Sequence, residues 1–320
     1  MNAIERIRRH PAGNIAVVFT VVLAGCIICG LVIPDNFRFL HSANIAILLR
    51  TIPLLGILAI GVGLLMITGE FDLSVGSVFG FSALVAAMLF REEWPLWLAI
   101  IIGLAAGGTI GFVNGLIVTQ TAIPSFIATL GSMLVVRGLI RALNDSRPVS
   151  FYPGETFEAV LTGSLGLMKA QFLWFLFIGA VAFYFLHLHR YGNHLYAVGG
   201  NRQAATATGI NVNRTKMIAF TISGLLAGFA GIIGATRVNS AVVTQGTGLE
   251  LEAIAACVIG ALFLMGGRGT LIGIMLGATL IHLVEDILLL SRAPGYYHET
   301  FVGAIIIIAV LMNQVVAKRD

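Results

Sequence analysis

Apolar runs of about membrane-spanning length, broken by short polar or glycine-marked stretches, set the pattern of this 320-residue chain. A hydrocarbon core about 30 Å thick requires roughly 20 apolar residues per helix. Ten runs meet or approach that length. They are residues 14–33, 45–68, 76–90, 95–120, a fifth opened by Pro124, 171–188, 217–236, 251–266, 271–290 and 300–316. Only helices or closed barrels satisfy their own backbone in lipid, and uninterrupted runs of this length specify helices. The prediction is an all-α, polytopic membrane bundle of about ten transmembrane helices, forming one domain over residues 1–320.

Two polar segments stand out. Residues 144–169 form a long polar connection between the fifth and sixth spans. Residues 190–216 form a basic interruption between the sixth and seventh. Within it, Gln203, Ala204 and Ala205 favour a short exposed helix, and Gly209 is suited to ending it. With ten spans both termini fall on one side. That side carries ten basic residues, among them Arg6, Arg8, Arg9, Arg190, Arg202, Arg214, Lys216 and Arg268, against seven on the other, including Arg38, Arg91, Arg147 and Arg237. The excess predicts cytoplasmic termini and a cytoplasmic 190–216 loop in a multi-pass protein.

Composition sharpens this picture. Hydrophobic residues make up 58% and charged residues 11%, which excludes a water-soluble domain of this size. The net charge of +4 does not imply nucleic-acid binding, because the basic residues lie in the connections and not on one face. Cys26 and Cys29 spell a CxxC inside an apolar run, where two small buried residues on one helix face are expected and not a redox or metal site. Close Gly and Ala spacing at 103–115, 223–235 and 273–278 predicts tightly apposed helices. MITGEFDLSVGS (66–77) and LMGGRGTLIG (264–273) share a form, an apolar helix, a glycine-marked break and a small-residue helix. Internal duplication and two unrelated glycine-rich turns both fit that form.

Charged and polar groups among the apolar runs are the candidates for function, because their burial is costly unless they are paired, capped or wetted. Glu70 and Asp72 interrupt the second and third runs. Asp72 can cap the third helix through the N–H of Ser74 or Val75, contact a substrate, or hold an ion or proton. Asn114 and Arg137 lie within the fourth and fifth runs, and Arg137 can line a path or join an ion pair. His282, Glu285 and Asp286 share one face of the ninth run, as either a polar interfacial face or a metal site, the first being the expectation. Glu70, Asp72, Asn114, Arg137, Glu285 and Asp286 are the translocation-path candidates, and no metal is expected.

Four stretches carry a resemblance. DLSVGS (72–77), IPSFIATLGSMLVVRGL (123–139), AVGGNRQAATATGI (197–210) and ELEAIAACVIGALFLMGGRGT (250–270) are similar, in order, to signature segments of ATP-binding-cassette permeases for ribose, xylose, arabinose and related sugars. Glu70 and Phe71 depart from that pattern, as does the acidic sequence at 285–286. The resemblance implies a type II importer permease fold in a bacterial inner membrane and import of a monosaccharide or sugar alcohol. It implies three protein partners, a separate ATPase that hydrolyses ATP with Mg²⁺, a periplasmic substrate-binding protein and a second permease copy or paralogue, with membrane lipid around the permease. Branched-chain amino acids, nucleosides, furanosyl signal molecules and stand-alone secondary transport are the alternatives. QAATATGI resembles the loop with which such permeases contact the ATPase, which assigns coupling to Asn201, Arg202, Gln203, Ala204, Ala205 and Gly209. On this view Ala204 and Ala205 permit close approach of the ATPase, and exposed Asn211 tolerates change. No Gly-Lys pair occurs, so the chain has no P-loop of its own and binds no cofactor. No nucleophile with a base and orienting group is visible either, so an enzyme is not expected.

Overall fold

The computed structural model describes residues 13–297, 300–304 and 307. Twelve α-helices are named here in chain order. They are α1 (Gly13–Val32), α2 (Ser42–Ile67), α3 (Val75–Arg91), α4 (Leu96–Gln120), α5 (Ser125–Leu143), α6 (Glu155–Thr162), α7 (Ala170–Phe183), α8 (Arg190–Gly200), α9 (Arg202–Ala207), α10 (Val212–Val238), α11 (Leu249–Ile259) and α12 (Leu271–Leu290). One π-helical turn, Tyr184–Leu188, extends α7. Among the described residues, seven helices are long and apolar enough to cross a membrane, and α3 is a shorter apolar helix of 17 residues.

The predicted span at 251–266 is corrected by the structure. Its helix, α11, is 11 residues long, only about 16 Å at 1.5 Å per residue, and then breaks. Gly266, Gly267 and Gly269 have positive φ, so the chain turns through conformations that side chains resist. Most of the predicted span at 300–316 lies outside the described residues.

Helix α10 is central, and glycine sets how closely its neighbours approach. A Cβ on Gly107 of α4 would sit 2.7 Å from the carbonyl oxygen of Gly224, and one on Gly224 would collide with that of Gly107. Gly111 meets the Phe220 carbonyl in the same way, and Gly231 meets that of Phe79 on α3. Lipid supplies no hydrophobic drive between helices, so this backbone-to-backbone packing holds the bundle together. Helix α2 is the other core element, buried almost continuously from Ile52 to Ile67. Exposed Val17, Val18, Val21, Ile28 and Leu31 on peripheral α1 suit a lipid-facing helix. Cys26 is buried there and Cys29 exposed, so the two do not share a buried face as expected.

At one end of the bundle, β1 (Val149–Ser150) pairs antiparallel with β4 (Ser240–Ala241), and Phe151 N–H donates to the Asn239 carbonyl at 3.0 Å. A hairpin of β2 (Ser164–Leu165) and β3 (Met168–Lys169) adjoins α6 and α7. Helix α6 and these strands give the 144–169 connection a structure the sequence did not announce. At the other end, the chain break after α2 meets the break after α11. Gly267 N–H donates to the Ile67 carbonyl at 2.8 Å, and Gly199 of α8 packs against the same carbonyl. The 27 residues of α10 between these ends span about 40 Å, a full membrane thickness. Residues 149–150 and 240–241 therefore share one end and residues 199, 216 and 267 the other, as the alternating spans require.

Candidate translocation path and coupling loop

The loop at 190–216 is built as two helices. His189 caps α8, its Nδ1 accepting from Tyr191 N–H at 3.2 Å. Tyr196 donates through its hydroxyl to the Gly269 carbonyl at 2.7 Å, and Tyr191 to the Thr215 carbonyl at 3.1 Å. Burial pushes the Tyr196 hydroxyl up to about 12 and raises that of Tyr191 further, so both stay neutral donors near neutrality. They fasten α8 to the second break and to the start of α10.

Helix α9 begins where Asn201 Oδ1 accepts from Ala204 N–H at 3.0 Å. It ends at Gly209, φ +84°, after which Ile210 N–H returns to the Ala205 carbonyl at 3.0 Å. The expected short helix and glycine stop are thus present. Asn201, Arg202, Gln203, Ala204 and Gly209 are exposed. Ala205 is not: at 3% exposure it packs with Val198 and Val212 in a small core within the loop. Its small size suits the packing of the loop itself. Asn211 is exposed as expected, and its side chain also caps α10 by accepting from Arg214 N–H at 2.9 Å.

The break after α2 gathers the path candidates. Asp72 is fully buried, and one oxygen accepts from both the N–H and the hydroxyl of Ser74, at 2.8 and 2.6 Å. This is the capping bond expected of Asp72, although the N-cap position itself is Ser74. Asn114 of α4 donates to Ser74 Oγ at 2.9 Å. From α5, Ser125 and Thr129 accept the N–H groups of Phe71 and Leu73, at 3.2 and 3.1 Å. Helices α4 and α5 therefore converge on residues 71–74, and the α5 hydroxyls with Asp72 itself satisfy backbone N–H groups that a helix would have satisfied internally. Glu70 turns instead to Lys216 at the start of α10 and forms a largely buried ion pair.

Arg137 pairs with Glu250 in the first turn of α11, Nη2 to Oε1 at 2.6 Å. A Cβ on Gly76, the second residue of α3, would collide with the other oxygen of Glu250, so this pair lies directly beside the break. The second oxygens of Asp72 and Glu250 and the amide oxygen of Asn114 are buried with no hydrogen-bond partner among the described residues. Partnerless acceptors are the chemical complement of hydroxyl or water donors. Glu285 and Asp286 stand apart. Asp286 accepts from Asn44 of α2 at 2.8 Å, while Glu285 pairs with His282 at 2.8 Å. Asp286 thus bonds to a partner outside the His282–Glu285 pair, and no group of three His, Cys, Asp or Glu residues able to hold a metal occurs among the described residues.

Sequence reasoning missed Glu250 and read Lys216 only as a topology charge. The available signal was that each lies at the edge of an apolar run, where a charge needs a partner.

Known proteins extend this picture. Residues 44–310 match the model of a family described as the branched-chain amino acid transport system permease component. The chain is 37% identical to the ribose import permease protein RbsC of Escherichia coli (strain K12), over 86% of this chain and 87% of the relative. It is 36% identical to the L-arabinose ABC transporter permease protein AraH of Azospirillum brasilense, over 94% and 87%. It is 33% identical to the autoinducer 2 import system permease protein LsrC of Enterobacter sp. (strain 638), over 92% and 84%. No solved structure matches the chain.

Proposed function

From the premise that this chain belongs to the family of branched-chain amino acid transport system permease components, we propose that it moves a monosaccharide or sugar alcohol across a bacterial inner membrane. A permease component is not an enzyme, and in this reading its energy comes from ATP that a separate ATPase hydrolyses with Mg²⁺. The observation that carries the cargo is the similarity, over most of both chains, to permeases named for ribose and L-arabinose. The partnerless acceptors of Asp72, Asn114 and Glu250 support it, because a polyhydroxylated guest brings the donors they lack. Similarity to the autoinducer 2 permease makes a furanosyl signal molecule the second reading.

The exposed face of α9 is the surface we assign to the ATPase, with Arg202, Gln203 and Ala204 presented on a helix fixed at both ends. A substrate-binding protein would dock at the opposite end, around the β1–β4 pair, and a second permease chain would complete the path between subunits. In this reading the protein is multi-pass, sits in lipid, and has cytoplasmic termini.

The test is uptake into proteoliposomes holding this chain, its ATPase and the soluble binding protein encoded beside it, with labelled ribose, arabinose, xylitol and leucine. ATP-dependent uptake of one of the first three is expected. Uptake of leucine alone would overturn the cargo assignment. Uptake driven by an ion gradient without the ATPase would overturn the coupling.

A further inference from the structure

A cleft with two chemically unlike halves opens where α7 hands over to α8. Its deep half, a cavity of about 470 Å³, runs between α7 and α10 and is lined by apolar side chains, among them Phe177, Val181 and Phe185 on one wall and Ile222 and Leu226 on the other. Its mouth, a cavity of about 380 Å³, is lined by Arg190, His194 and Arg214 and by Gly209, Ile210 and Asn211. His189, Tyr191 and Ile218 line both, so the halves are continuous.

The mouth is strongly electropositive. Arg190 and Arg214 are exposed, and neither has a carboxylate partner among the described residues. Each stands in the first turn of a helix, α8 and α10, whose N-terminal dipole ends add partial positive charge. A small soluble anion would use the mouth and leave the groove empty, whereas an apolar ligand would fill the groove and leave the arginines unanswered. An amphiphile with an anionic head and an alkyl tail meets both halves at once. The mouth lies at the end of the bundle where α7 stops and α10 starts, and the groove runs from it along both helices, the order in which a bilayer stacks headgroup and hydrocarbon.

We propose that this cleft is a specific site for an anionic phospholipid, its phosphate held between Arg190 and Arg214 and one acyl chain lying in the groove between α7 and α10. Basic pockets between spans are suited to such headgroups. Because Gly209, Ile210 and Asn211 close α9 and open α10, a bound lipid braces the presented helix from behind. Occupancy would then favour the loop conformation that faces the ATPase. The lipid site itself rests only on the chain's residence in a membrane, whatever its cargo.

The test is lipid retention by the purified full chain. Native mass spectrometry would follow titration with phosphatidylglycerol or phosphatidylcholine, with inorganic phosphate as competitor. Wild type is expected to retain phosphatidylglycerol at least tenfold more tightly than phosphatidylcholine. Arg190→Gln/Arg214→Gln should abolish that preference without changing the melting temperature, and millimolar phosphate should not displace the bound lipid. Ile222→Trp, which fills the groove and keeps the charges, should weaken retention of phosphatidylglycerol, so the proposal stays testable if the double variant fails to fold. Equal retention of the two lipids by wild type, an unchanged preference in the arginine variant, or displacement by phosphate would each overturn it. So would loss of ATPase recovery in the arginine variant with lipid retention unaltered, which would make the arginines protein contacts.

Discussion

The Arg137–Glu250 pair allows a prediction in which the two partners are not equivalent. Removing one member of a buried ion pair costs about 3–5 kcal/mol, because the other charge stays behind without its counterion. The side chains differ in what they can then reach: Arg137 is 27% exposed and Glu250 8%. Glu250→Ala leaves a guanidinium on a long arm that can turn to water, so its cost falls to about 2 kcal/mol. Arg137→Ala leaves a carboxylate with both oxygens bare, since its second oxygen already lacks a partner. That variant should lose the full amount, about 4 kcal/mol. A gap of about 2 kcal/mol is roughly 30-fold in the unfolding equilibrium. Thermal unfolding of the detergent-solubilised chain, followed by size-exclusion recovery, reads it as a clearly lower midpoint for Arg137→Ala. The double variant Arg137→Met/Glu250→Met exchanges both charges for apolar volume and should recover most of the lost stability. If the pair also contacts cargo, as proposed for the path, the double variant will fold and still fail to transport. Equal losses for the two single variants would refute the burial argument, and full uptake by the double variant would confine the pair to structure.

Further predictions follow from the coupling loop and the bundle crossing. Ala204→Glu places a charge on the exposed face of α9, so permease yield should hold while co-purification of the ATPase falls. Ala205→Glu instead buries that charge against Val198 and Val212, so loop protection in hydrogen exchange and permease yield should fall together; normal yield would contradict the burial seen here. Asn211→Ala removes the cap of α10 at a cost of about 1 kcal/mol, measurable as a lower melting midpoint, and an unshifted midpoint would remove Asn211 from the structural account. Gly224→Val drives a side chain into the Gly107 carbonyl, and folded yield should collapse, whereas Gly131→Val, with open space around its Cβ, should be recovered normally.

The spans were legible because long apolar runs have one way to satisfy their backbone in lipid. The 251–266 run misled for an instructive reason: its composition is that of a span, but Gly260 packs on Gly273 and the following glycines take up positive φ, so it stops as a half-helix. Apolar content reports that a segment sits among apolar neighbours and not how far its helix continues. Local signals did well in the 190–216 loop, where Asn201 and Gly209 bracket α9 as their chemistry predicts. They could not separate Ala204 from Ala205, since orientation depends on Val198 and Val212 arriving from either side. Ion pairs were out of reach for the same reason. Glu70 and Lys216, or Arg137 and Glu250, are far apart in the chain, and no periodicity links them.

The hydrogen bond from Gly267 to Ile67 has a consequence for how the protein is made. The carbonyl that α2 exposes at its end is answered by an amide in a part of the chain not yet synthesised when α2 enters the membrane. At about 5–20 residues per second, the wait is on the order of ten seconds or longer. During that interval the nascent chain must keep the end of α2 wet or lend it a temporary partner, because a carbonyl buried without a partner is costly. The break therefore closes late in biogenesis. A translation product truncated before residue 267 would carry most of the spans and still lack the group that seals the first break.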